Sequence, residues 1–180
     1  IPSVVGLILL ANPLLVKIGS PDFSIHPMVF ALIILGLFSD QMSANVHYLV
    51  YLHNEPIFMR NVTILSGVVN VVVNLAAVPF LGIMGAALAT FISYLLMDIL
   101  LFRKVLTYGF RIGPLYDLKS LGKFFAAALL MAAVLLAVMQ AVELTFAATM
   151  GLIVMGGLVY MLALLLVNRG SLRNVLAGLR

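Results

Sequence analysis

The sequence predicts an all-α integral membrane protein, a bundle of six transmembrane helices, on three observations. Hydrophobic residues make up 64% of the 180 positions and charged residues only 9%, with a mean hydropathy of +1.24. A soluble domain carries about a quarter charged residues, and its core could not hide this much apolar surface. The apolar residues also fall in runs long enough to cross a bilayer, at about 20 residues per helix. Such runs exceed the roughly 10-residue alternating strands of a membrane barrel. Finally, short segments holding Pro, Gly and charge separate the runs, as turns between helices do. In lipid every backbone N–H and C=O must pair within the structure, which leaves the helix as the only form for these runs.

The six expected spans are residues 1–16, 27–52, 61–80, 83–102, 124–142 and 145–167. In the first, Asn12-Pro13 is expected to kink or loosen the helix. The second opens at Pro27, a favoured first helical position. The third and fourth form a tight hairpin across 70–102, turning at Pro79-Phe80-Leu81-Gly82. Residues 103–123 read as a basic loop. Its Phe110, Ile112, Leu115, Tyr116 and Leu118 interleave with cations, as in a stretch lying on the membrane surface. In the tail, 168–180, Leu172, Val175, Leu176 and Leu179 share one helical face, the pattern of a short interfacial amphipathic helix.

Lys and Arg placement orients the bundle. Residues 103–123 hold Arg103, Lys104, Arg111, Lys119 and Lys123; the tail holds Arg169, Arg173 and Arg180; the 53–60 loop holds Arg60. With six spans these nine of the ten basic residues fall on one side, and only Lys17 on the other. The positive-inside rule makes that side cytoplasmic, together with the C-terminus. The net charge of +4 is thus spent on topology and on contact with membrane lipids, and nucleic acid is not an expected partner. There is no cysteine, which excludes disulfides and thiolate metal sites. The chain opens at Ile1 rather than methionine and reads as a fragment or trimmed chain, without a signal peptide.

Hydrophilic residues inside the spans are the candidates for function. A charge at mid-membrane costs about 2.5–3.5 kcal/mol on insertion scales, so such residues face the bundle interior or water. Asp40 lies 13 residues after Pro27, about 20 Å along a helix and near mid-depth. Gly36, Asp40, Ser43 and His47 follow at spacings of 4, 3 and 4 and share a face, with Gln41 and Asn45 on a neighbouring stripe. Two readings stand. The face is the wall of a water-accessible cavity in which Asp40 binds a proton or cation, or it is a set of interhelical hydrogen bonds. Asn70 and Asn74 share a face of the third span, as a cavity-lining amide pair or as an interhelical clamp. Asp98 is expected to pair with Arg103 or Lys104 near the inner interface. The repeat Gly85, Ala89, Ser93 lets helices approach closely. His47 and His53 stand six apart with no third ligand near in sequence, so no metal site is expected. No phosphate loop, HExxH or Ser–His–Asp arrangement emerges, so neither an enzyme nor a cofactor is expected.

The string Asn70-x3-Asn74-x4-Pro79-x2-Gly82-x2-Gly85-Ala86-Ala87-x-Ala89-Thr90-x2-Ser93-Tyr94 resembles the second-half signature of bacterial polysaccharide-biosynthesis export proteins. These are lipid-linked oligosaccharide flippases of the multidrug/oligosaccharidyl-lipid/polysaccharide (MOP) superfamily. Ile1-Pro2 before an apolar span, Asn12-Pro13-Leu14-Leu15, and the basic stretch after the fourth span are similar too. The resemblance covers residues 1–123. It implies one lobe of a twelve- or fourteen-helix, two-lobed protein in the bacterial inner membrane, with the N-terminal half missing from this chain. The implied activity is flipping of undecaprenyl-pyrophosphate-linked oligosaccharide by alternating access, with H+ or Na+ as coupling ion. On that expectation Asp40, Gln41, Asn45, His47, Asn70 and Asn74 line the route, and the charge that meets the pyrophosphate comes from the missing half or from Arg60 near the inner entrance. The family's cavities are often cationic, whereas this chain has no mid-membrane Lys or Arg. The alternatives are a drug or metabolite exporter of the same superfamily and a membrane-embedded enzyme acting on polyprenyl carriers.

Overall fold

A computed structural model describes residues 1–18, 25–110, 117–143 and 145–167. Its helices are α1 (Pro2–Ile18), α2 (Pro27–Met42), α3 (Ala44–Leu52), α4 (Pro56–Leu81), α5 (Ile83–Thr107), α6 (Leu118–Ala141) and α7 (Phe146–Val167), with no strand among the described residues. The pair α2–α3 forms one span, Pro27–Leu52, interrupted at Ser43. With it, five helices among the described residues are long and apolar enough to cross a membrane, and Pro2–Ile18 is a shorter apolar helix. The chain is therefore a multi-pass, all-α membrane protein.

Helix ends follow local chemistry, and several differ from the expected bounds. The third span starts at Pro56 rather than 61, because Pro at the first helical position has no N–H to satisfy. The fourth continues past 102 to Thr107, carrying Arg103 and Lys104 on its last turns. The fifth starts at Leu118, where the Asp117 carboxylate accepts from the backbone N–H groups of Lys119 (3.1 Å) and Ser120 (3.2 Å). The expected basic loop is thus largely helical at both ends. Pro13 does not end α1, which runs through it to Ile18. The surface-lying stretch at 111–116, most of the 17–26 loop and the amphipathic tail lie outside the described residues.

Two compact units make up the chain: His26–Tyr116, and Ile1–Ile25 with Asp117–Arg180. The first holds α2 to α5. Its core is Val46, Val50, Met59, Val62, Leu101 and Val105. The α4–α5 hairpin turns on Gly82, whose φ of +56° and ψ of −134° favour glycine over any L side chain. Gly85 then lies flush on α4: a Cβ there would stand 2.6 Å from the Ala77 carbonyl carbon and 2.8 Å from Val78 N. Ala89 and Ser93, one and two turns further, are also buried. The other faces of this hairpin carry bare apolar side chains, with Leu75 74% and Phe80 86% exposed. In water such surface would be hidden; in a bilayer it meets lipid tails.

The second unit holds α1, α6 and α7 around Leu10, Met131, Leu135 and Leu152. Thr149 is fully buried and satisfies its hydroxyl on the Thr145 carbonyl at 2.9 Å. The Asn12 side chain accepts from the Ile25 backbone N–H at 2.9 Å. An apolar cavity of about 290 Å³ opens beside Leu10, Leu135, Leu152 and Gly156.

Candidate functional site

Four of the seven residues singled out by sequence fall in two places, both in the unit His26–Tyr116. The first is built where the α2–α3 span crosses α5. His26 starts the span: its Nδ1 accepts from the Met28 N–H at 3.2 Å, ahead of Pro27. Gly36 lets α5 approach, since a Cβ there would stand 3.2 Å from Tyr94 Cδ2 and 3.4 Å from Phe91 Cα. Ser43, buried one turn beyond Asp40, interrupts the helix. Its N–H is shared between the Ser39 and Asp40 carbonyls (3.0 and 3.1 Å), and its hydroxyl donates to the Ser39 carbonyl at 3.1 Å. Gly36, Asp40 and His47 thus turn toward α5.

Asp40 and His47 do more than seal that contact. His47 Nε2 lies 3.7 Å from Asp40 Oδ1, an ion-pair distance too long for a hydrogen bond, and the two side chains keep 23% and 21% of their surface. Opposite them stands Asp98 of α5, only 4% exposed. Ser39 donates its hydroxyl to Asp98 Oδ2. One donor atom from each of Asp40, His47 and Asp98 lies within 4.8 Å of the others. Asp40 Oδ1, His47 Nε2 and Asp98 Oδ1 are buried atoms with no hydrogen-bond partner. Two ionised carboxylates about 5 Å apart repel by about 3 kcal/mol at an effective dielectric of about 20, and a positive charge between them reverses the sign.

The expected pairing of Asp98 with Arg103 or Lys104 is corrected here. At 3.6 residues per turn, Arg103 points roughly 140° and Lys104 roughly 120° away from Asp98 around the helix. Asp98 instead shares the buried face of Leu101 and Val105. Lys104 pairs with Glu55, Nζ to Oε2 at 2.7 Å. Its ammonium lies 5.0 Å from the Phe58 ring centre and 5.5 Å from that of Tyr108. His53 stacks on Tyr108 with ring centres 4.0 Å apart. That places His53 in an aromatic stack at the end of the unit.

The second place is the α4–α5 hairpin. Asn74 Nδ2 donates to the Asn70 carbonyl (3.0 Å) and to Asn70 Oδ1 (2.9 Å). These bonds lie within one helix, α4. Asn70, Thr63, Ser66, Thr90, Ser93 and Tyr94 line a groove of about 320 Å³ between α4 and α5. Most of its hydroxyls are tied to the carbonyl four residues back: Thr63 to Met59, Thr90 to Ala86, Ser93 to Ala89. The Ser66 hydroxyl is buried without a hydrogen-bond partner.

Gln41, Asn45 and Arg60 form neither place. All three are exposed, and Arg60 reaches Asn61 Oδ1 from Nε and Nη2 at 3.4 and 3.3 Å. Sequence reasoning missed Ser39 and the role of Asp98. The available signal was the 3- and 7-residue spacing of Asp98 to Leu101 and Val105, which puts a carboxylate on an otherwise apolar face.

Fold and site together define a multi-pass helical membrane protein with hydrophilic side chains buried between its spans. No protein-family model and no curated protein matches the chain.

Proposed function

We propose that this chain is one lobe of a transporter that moves undecaprenyl-pyrophosphate-linked oligosaccharide across the bacterial inner membrane by alternating access, with H+ or Na+ as coupling ion. The supporting observation is that the resembling string folds as the α4–α5 hairpin and sets the polar side chains of Asn70, Thr90, Ser93 and Tyr94 along one groove between two apolar helices. Amides and hydroxyls in such a groove suit sugar hydroxyls, which need both donors and acceptors. Arg60, Arg103 and Lys104 stand near the α3–α4 turn and the end of α5, which supports a cytoplasmic end there. Asp40 is the coupling carboxylate on this reading.

The test is surface polysaccharide in cells lacking the full-length protein. Its loss, with lipid-linked oligosaccharide accumulating inside and rescue by the wild type, is expected. Normal surface polysaccharide would overturn the reading. Replacing Asp40 with Asn should impair rescue, and export unchanged across pH removes Asp40 from the mechanism. One observation favours the membrane-embedded polyprenyl-carrier enzyme as second reading: Asp40, His47 and Asp98, scattered in sequence, converge in space. Turnover of a polyprenyl-linked substrate by the purified protein, without a second membrane compartment, would select it.

A further inference from the structure

We propose that Asp40, His47 and Asp98 form a binding site for one divalent first-row metal ion, with Zn2+ and Mn2+ the best-fitting ions. The inference goes beyond the transport reading and holds for a transporter or an enzyme alike. Three donors from two spans, α2–α3 and α5, come within 4.8 Å of one another. Three inward atoms, Asp40 Oδ1, His47 Nε2 and Asp98 Oδ1, are buried without hydrogen-bond partners. In an interhelical hydrogen-bond network they would be paired, because orphaned buried polar atoms are costly and rare. Here they belong to the three residues whose ligand atoms come close enough together to share an ion.

The donor set selects the ion. Two carboxylate oxygens supply two negative charges, matching a divalent cation. Mg2+ and Ca2+ take oxygen ligands, so an imidazole in the set argues against them. The lack of thiolate or thioether argues against Cu(I). Imidazole with carboxylate suits Zn2+ and Mn2+, and three protein ligands leave a coordination position open. Ser39 completes the arrangement. By donating to Asp98 Oδ2 it fixes the carboxylate with Oδ1 turned to the site, the outer-shell pattern that orients metal ligands.

The test uses the full-length, tag-free protein in lipid nanodiscs, stripped with chelator and dialysed against Zn2+ or Mn2+ with Mg2+ as competitor. One ion per chain is expected, retained against excess Mg2+. His47→Gln and Asp98→Asn should each weaken binding at least about tenfold, and Ser39→Ala by about tenfold. His53→Gln should bind as the wild type does. For variants that fail to fold, X-ray absorption of the wild-type Zn2+ complex decides. Nitrogen and oxygen neighbours at about 2.0–2.2 Å are expected. No bound ion in folded wild type, equal binding by His47→Gln, or a shell without imidazole would each overturn the proposal. Export failing while the ion binds would overturn only the transport reading, and the reverse result only the metal site.

Discussion

Lys104 Nζ lies 2.7 Å from Glu55 Oε2 and clips the turn between α3 and α4 to the last turns of α5. The hydrogen bond from Lys104 is the main cause holding the Glu55 carboxyl below its ordinary value of 4.5, with further help from Tyr108. A carboxyl lowered in the folded state stabilises above its unfolded pKa, and loses that contribution as pH falls through the folded value. Thermal melts of wild type and Glu55→Gln should therefore differ most at neutral pH and draw together as pH falls from about 4.5 through the lowered value of the folded state. Because the pair is solvated, its effect should also shrink in high salt.

Gly85 and Gly151 make opposite predictions for the same substitution. A methyl at Gly85 meets the Ala77 and Val78 backbone at 2.6–2.8 Å, and backbone cannot step aside cheaply. Gly85→Ala should cost about 1–3 kcal/mol, as overpacking does. At Gly151, inside α7, a Cβ meets nothing within 4 Å. Gly151→Ala should be neutral or stabilising by about 0.5–1 kcal/mol, since Gly loses more backbone freedom than Ala. Melting temperatures of the two variants in one detergent check both signs.

Asp117 starts α6 by accepting from Lys119 N–H, Ser120 N–H and the Ser120 hydroxyl (2.6 Å). The Ser120 side chain is the largest cause holding its carboxyl below the ordinary range. Protonation at acid pH removes acceptor strength, so the cap weakens as pH falls. Asp117→Ala should speed amide exchange at Lys119 and Ser120 at neutral pH, with little change in the middle of α6. Equal exchange in variant and wild type would mean that tertiary contacts alone hold this end.

Helix identity was readable along the chain because burial in oil forces every backbone group into a local bond, and runs of this length have one way to comply. Pro27 and the Gly82 turn were legible for related reasons: their backbone limits act within a few residues. The face Gly36–Asp40–Ser43–His47 was legible as a face, through the helical period. Its partner was not. Periodicity says which residues look the same way, never which helix they look at. Asp98 stands 51 positions from His47, and its place beside Ser39 came from the approach of α5 to Gly36. Lys104, in turn, found Glu55 because α3, α4 and α5 meet around Val50, Met59 and Val105. The sequence by itself determined the helices and their apolar surfaces, since these follow from solvent and local sterics. Tertiary structure decided which charged and hydrogen-bonding groups meet, because those meetings depend on how helices distant in sequence dock.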